Sequence, residues 1–196
     1  MKSALAAFAA CLLAPLSALH AGDSPLPKTK PNIIFIMADQ WRKQALGIMG
    51  EDKVATPNLD KLAQQGALFS NAISTVPVCS PNRATLLTGQ YPLRHGMLCN
   101  DLWLRPQEQT LGDISKANGY QTAYIGKWHL GQTMTKTGAV DKGYVPKEFR
   151  HGFDFWFQEE GHLPFAQPFF VGDSKKSEIR EGWAPDLLID AADQFL

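Results

Sequence analysis

From residue 33 to residue 38 the side chains Ile33, Ile34, Phe35, Ile36, Met37 and Ala38 are apolar without interruption, and the run ends in Asp39 and Gln40. A short unbroken apolar run is the pattern of a central strand covered on both faces, and hence of a parallel α/β sheet. The period changes at Thr56. Thr56 as N-cap, Pro57 at the first helical position, apolar residues at Leu59, Leu62 and Ala63, and Gly66 as a stop predict a helix, packed on a strand over residues 67–73. A second helix is predicted around Pro81, Ala84, Leu86 and Leu87. Pro81 suits the first turn, and Gly89 suits the stop. Residues 120–125 read as another strand, broken at Gly126, and residues 133–146 lack periodicity and read as a surface loop. Residues 185–196 form an uncapped amphipathic pattern whose stripe, Leu188, Ala191, Ala192 and Phe195, needs a packing partner. The fold class expected is α/β, a mostly parallel central sheet flanked by helices, with no internal repeat.

The first residues follow a different rule. Met1 and Lys2 supply a short positive segment, residues 4–19 an apolar one, and Ala21 a small residue for cleavage. Residues 1–21 are therefore read as a signal peptide and 22–31 as an exposed linker, which places the protein outside the cytoplasm, secreted or periplasmic. Pro15 interrupts the run, which argues against a permanent membrane span. The apolar stretch continues past Cys11, which argues against a lipoprotein. The composition, 44% hydrophobic with 19 basic and 19 acidic residues, fits a globular enzyme with a core. Zero formal net charge offers no general attraction for nucleic acid or an anionic membrane. Cys79 and Cys99 do not make a disulfide framework, and Cys99 reads as a small buried residue.

Candidate chemistry gathers at three places. Cys79-Ser80-Pro81-Asn82-Arg83 sets a cysteine at the mouth of the second helix, where backbone N–H groups and the helix dipole favour anions. A buried free cysteine beside a proline-started helix fits that local pattern about as well. Asp39 and the Gln40 carbonyl are hard oxygen donors at a strand's carboxyl end, suited to Ca²⁺ or Mg²⁺, although a strand-end Asp alone is more often a turn or cap residue. Lys127 and His129, two apart in an extended segment, point to one face and could hold an anion. A solvated lysine and a core histidine are the plainer reading. Among weaker signals, Arg94-His95-Gly96 reads as a surface turn after Pro92, or as a turn that sets His95 behind the site residues. The five tryptophans read as core or as an aromatic cleft, and Glu159-Glu160-Gly161-His162 reads as a polar turn.

Together, Asp39-Gln40, Thr56-Pro57-Asn58-Leu59-Asp60, Cys79-x-Pro81-x-Arg83 with Leu87-Thr88-Gly89, and Gly126-Lys127-Trp128-His129-Leu130-Gly131 resemble the motifs of type I sulfatases, within the alkaline-phosphatase-like superfamily. Asp39-Gln40-Trp41-Arg42 and His151-Gly152-Phe153-Asp154-Phe155-Trp156 are similar to the bacterial arylsulfatase and iduronate-sulfatase-like branch. Two positions depart from the family pattern. Asn82 stands where Ser or Ala is usual, and Gln40 replaces a commoner Asp, leaving the metal site one charge less negative.

The resemblance implies that a maturation enzyme converts Cys79 to formylglycine, whose hydrate attacks the sulfur of a sulfated carbohydrate or aryl sulfate. It further implies that Asp39, Gln40 and the modified Cys79 hold Ca²⁺ (or Mg²⁺), that Arg83 braces the hydrate, and that Lys127 and His129 bind the sulfate. Residues 32–196 would be the amino-terminal portion of the catalytic domain, cut short, with further metal ligands and the leaving-group acid beyond Leu196. Two alternatives stay open at this point. One is a phosphonate or phosphate monoester hydrolase sharing the nucleophile; the other is a glycan-binding relative, or a truncated piece, without catalysis.

Overall fold

The computed structural model describes residues 29–131, 133–134, 140–141, 143–159, 165–174 and 176–196. The signal segment, most of the linker, and Glu160, Gly161 and His162 lie outside the described residues. The chain divides into two compact units, Met1–Trp41 and Arg42–Leu196.

In the first unit the apolar run does not form the expected strand. Its side chains are exposed, Ile36 to 86%. High strand propensity is insufficient here, because a strand exists only through ladder bonds to a neighbouring backbone.

The second unit opens with two short 3₁₀ turns, Lys43–Ala45 and Gly47–Met49, followed by helix α1, Pro57–Gln65. Thr56 precedes α1 but does not cap it. Its hydroxyl donates to Asp60 Oδ1 at 2.7 Å and accepts from Gly47 N at 2.8 Å, while Asp60 Oδ1 also accepts from Ile48 N at 2.9 Å. The cap is thus diverted to hold the 3₁₀ turn. The predicted partner strand over residues 67–73 is absent, with Ile73 90% exposed, and Leu59 and Leu62 face an open apolar hollow with Leu46, Ile48 and Leu68.

Helices α2 (Cys79–Thr88), α3 (Pro92–His95) and α4 (Leu111–Ala117) follow. Thr110 and Asp113 form a reciprocal capping box at the start of α4, which satisfies two of the helix's otherwise unpaired donors. The main sheet contains β1 (Ala123–Lys127), β4 (Phe155–Glu159), β5 (Phe165–Val171) and β6 (Glu178–Trp183), in the order β1-β4-β5-β6. β1 and β4 are parallel, and the other two pairings are antiparallel, so the α/β class holds with a mixed sheet. Between β1 and β4, β2 (Thr133–Met134) and β3 (Val140–Asp141) pair antiparallel, where the sequence suggested only a loop.

Two apolar clusters flank the sheet. On one side Trp128, Trp156, Leu104, Leu130, Val145, Met97 and Ala84 are buried, joined by Tyr124, whose ring lies 4.8 Å from Trp128 and 5.4 Å from Trp156. Trp128 and Trp156 are therefore core residues and not cleft walls. On the other side helix α5 (Ala184–Phe195) seats Ala191, Leu187 and Leu188 against Phe157 and Phe169, with Phe195 5.4 Å from Phe155. The stripe that seemed to lack a partner is covered by this chain's own sheet.

Candidate active site

Helix α2 begins at Cys79, with Val78 extended before it and Pro81 in the first turn, where a missing N–H is harmless. Gly89 closes the helix at φ 66°, its N–H donating to Thr85 O at 2.9 Å. Cys79 is a partly exposed free thiol. Asn82, the unusual residue of the motif, accepts a hydrogen bond from Ser74 Oγ at 2.8 Å and so fastens the preceding loop to α2.

Three bonds tie α2 to its surroundings. Ser80 Oγ donates to His129 O at 2.6 Å, Arg83 Nη1 donates to Lys127 O at 2.7 Å, and Ser80 N donates to Asn100 Oδ1 at 3.0 Å. Tyr124 Oη also donates to Lys127 O. Ser80, Arg83, Lys127 and His129 are all buried. This lattice brings Lys127 Nζ to 3.8 Å from Cys79 Sγ. Cys79, Arg83, Lys127 and His129 thus form one cluster, although they lie up to fifty positions apart in the chain.

One expectation about that cluster needs correction. Lys127 and His129 do not share the face of an extended segment. β1 continues through Gly126, which takes φ 103°, a value open to glycine, and His129 lies beyond the strand at φ 54°. Ser80 and Arg83 fix the two residues through their own carbonyls, His129 O and Lys127 O, and strand alternation does not set their placement.

The electrostatics of the cluster favour an anion. Burial lowers the His129 pKa below 6.5, the positive charges of Lys127 and Arg83 lower it further, and Asp101 partly opposes them. Near neutral pH the imidazole is uncharged and able to accept a proton. Asp101 Oδ1 lies 3.7 Å from His129 Nε2. Ser80, Asn100, Tyr124 and Asp101 were not legible as site residues, since each has only a common local pattern.

Other expectations divide. His95 is fully buried, so the surface-turn reading fails; its Nδ1 accepts from Met97 N at 3.1 Å, and Nε2 sits 3.1 Å from Thr85 Oγ1 on α2. Cys99 is exposed, not buried. His151, also buried, sets Nδ1 3.2 Å from Glu108 O. Asp39 and Gln40 belong to the first unit. Their oxygen donors are of the type that suits a hard cation, and among the described residues no group of three or more His, Cys, Asp or Glu could hold a metal. Among the described residues no helix is long and apolar enough to cross a membrane.

The α/β scaffold presents a cysteine at a helix start beside Lys127, Arg83 and His129, an arrangement suited to binding an anion. The sulfatase family model matches residues 31–195, and the chain belongs to that family. It is 44% identical over 169 residues to an ulvan-active sulfatase of Formosa agariphila, covering 86% of this chain and 32% of that protein. It is 32% identical over 194 residues to an N-acetylglucosamine-6-O-sulfatase of Bacteroides thetaiotaomicron, covering 94% of this chain and 31% of that one. The solved structure of BT4656 in complex with its substrate D-glucosamine-2-N,6-O-disulfate superposes with a TM-score of 0.72 at 31% identity, over 85% of this chain and 31% of that one. The chain therefore spans about a third of the length of these relatives.

Proposed function

We propose that the protein to which this chain belongs hydrolyses sulfate esters of carbohydrates, with Cys79 as the precursor of the nucleophile. The observation that carries this reading is the approach of Lys127 Nζ to 3.8 Å from Cys79 Sγ, inside a buried frame built by Arg83 and Ser80. The names of the relatives, an ulvan-active and an N-acetylglucosamine-6-O-sulfatase, favour sulfated carbohydrate over aryl sulfate as the natural substrate class.

An unmodified thiol, with a pKa near 8.5, is only a few per cent thiolate at neutral pH. A formylglycine made from Cys79 by a maturation enzyme would supply, as its hydrate, one hydroxyl that attacks sulfur while the S–O bond to the carbohydrate breaks and the alcohol leaves with a proton. Deprotonation of its second hydroxyl would break the C–O bond to the bound sulfate, releasing sulfate and restoring the aldehyde. The chain's own residues do the rest. The start of α2 offers N–H groups and a positive dipole end to the anion. Lys127 attracts the sulfate oxygens, and the neutral His129 accepts a proton near the reacting atoms. Arg83 keeps one arm on the Lys127 carbonyl, so its planar guanidinium both fixes the lysine's backbone and adds positive charge behind the nucleophile. The family resemblance implies that Asp39 and Gln40, with an oxygen of the modified Cys79, would hold a divalent cation, Ca²⁺ first and Mg²⁺ second, which would lower the pKa of the attacking hydroxyl. The amino-terminal pattern supports export to the periplasm or medium.

The test is mass spectrometry and turnover together. When the full-length protein is co-produced with a formylglycine-generating enzyme, the peptide bearing Cys79 carries an aldehyde mass, and Cys79→Ala loses all sulfate-ester turnover. A fully active preparation with an intact thiol sinks the mechanism. Turnover of aryl phosphate above aryl sulfate moves the assignment to the phosphate or phosphonate hydrolases.

A further inference from the structure

Asp101 has no role in the reading above, yet three observations place it at the reacting cluster. Its carboxylate lies 3.7 Å from His129 Nε2, with the Asp101 side chain 56% exposed and that of His129 only 10%. Its position is not an accident of a loose loop. The residue before it, Asn100, accepts from Ser80 N at 3.0 Å, and beyond it Leu104 N donates to Leu130 O at 3.0 Å, while Trp103 bridges Gly131. The segment is therefore sewn on one side to the start of α2 and on the other to the stretch just after His129. Backbone geometry supplies the third observation. Among the described residues only three non-glycine residues have positive φ, and two of them are this pair, Asp101 at 63° and His129 at 54°. Left-handed conformations are costly for side chains with a Cβ and concentrate where function over-determines them. An exposed ion pair alone contributes too little to stability to account for two such residues facing each other.

We propose that Asp101 is a positioning residue for His129: its carboxylate holds the proton of the neutral imidazole on Nε2 and fixes the ring's orientation beside Cys79 and Lys127. For this the half-exposed carboxylate must approach Nε2 from the 3.7 Å of this structure to hydrogen-bond distance. The remaining charges facing the ring, Lys127 and Arg83, are both positive. Asp101 is thus the group that supports the imidazolium formed when His129 accepts a proton. The inference rests on the sulfatase reading for its catalytic consequence, but not for the Asp101–His129 coupling itself.

Two variants separate the carboxylate from the backbone. Asp101→Asn tolerates the left-handed φ and keeps an acceptor without charge, and Asp101→Gly keeps the φ without any side chain. In full-length protein carrying ¹⁵N-labelled histidine, with the His129 signals assigned by His129→Gln, Asp101→Gly shifts proton occupancy away from Nε2 and Asp101→Asn does so less. Turnover of an aryl sulfate falls on the order of tenfold in Asp101→Gly with KM little changed, as for loss of a group that orients a site residue. In a His129→Ala background the same substitution costs nothing more. An unchanged ring spectrum in Asp101→Gly, or a loss that adds in full to that of His129→Ala, overturns the proposal. If the wild-type protein turns over no sulfate ester while the ring spectrum still responds to Asp101→Gly, the sulfatase reading fails and the coupling stands.

Discussion

Arg83 shows how one side chain serves two ends. Buried charge needs a partner, and the Lys127 carbonyl accepts from its Nη1 at 2.7 Å, so the guanidinium joins α2 to the end of β1 while staying one turn from Cys79. A lysine there has neither the planar fork nor the second arm. The metal donors are a separate residue-level question. Asp39→Ala removes an anionic oxygen and lowers Ca²⁺ affinity and turnover on the order of tenfold or more, with much less effect on the unfolding midpoint. Gln40→Asp adds a charge to a hard-cation site and tightens binding. Titration calorimetry with Ca²⁺, read beside turnover before and after chelation, checks both; a rate indifferent to chelation removes Asp39 and Gln40 from the site.

At the scale of elements, the start of α4 carries more than its own helix. Thr110 Oγ1 lies 2.9 Å from His151 O and 3.0 Å from Asp113 Oδ2, and Thr110 N donates to the same carboxylate at 3.0 Å. Thr110 itself is fully buried. Thr110→Ala removes a cap worth about 1 kcal/mol and leaves a buried carbonyl without its donor, about 1–3 kcal/mol more. Urea unfolding of Thr110→Ala is expected to show a loss of about 2–4 kcal/mol on these grounds, and Thr110→Ser to recover most of it. A loss confined to a few tenths in the alanine variant means that water replaces the hydroxyl. Helix α5 makes the complementary point, since its apolar stripe was plain in the sequence while the surface it covers was not.

For the molecule as a whole, three buried histidines tie stability to pH. Burial lowers the pKa of His95, His129 and His151 below 6.5, against smaller opposing effects of nearby carboxylates at each. His95 has an added reason to stay neutral, because its Nδ1 accepts from Met97 N. For a depressed folded value, the unfolded chain binds more protons between the folded and unfolded pKa. The contribution is therefore complete above pH 6.5 and is lost as pH falls through the folded values. Urea midpoints measured downward from pH 7.5 are expected to fall below about pH 6.5, ahead of the carboxylate range, and His95→Gln to flatten part of that slope. A flat midpoint down to pH 5 contradicts the burial of neutral imidazoles.

The sequence by itself determined what local rules can determine. Helices over 57–65, 79–88 and 184–195 follow from proline starts, glycine stops and 3.6-residue periodicity, and a strand ending near residue 127 follows from its apolar run. The identity of the candidate reacting groups was legible too, since Cys79, Arg83, Lys127 and His129 sit in motifs whose residue types carry the chemistry. Tertiary structure decided everything that needs a second segment. It left residues 31–38 without a strand, because ladder bonds require a neighbour. It paired β1 with β4 across an intervening stretch of chain and assigned Trp128 and Trp156 to the core. It also brought the Asn100 side chain to the start of α2 and Asp101 to His129 through contacts that no spacing rule encodes. Local preference is set by nearest neighbours along the chain, whereas a site is set by which carbonyls and N–H groups find partners across it.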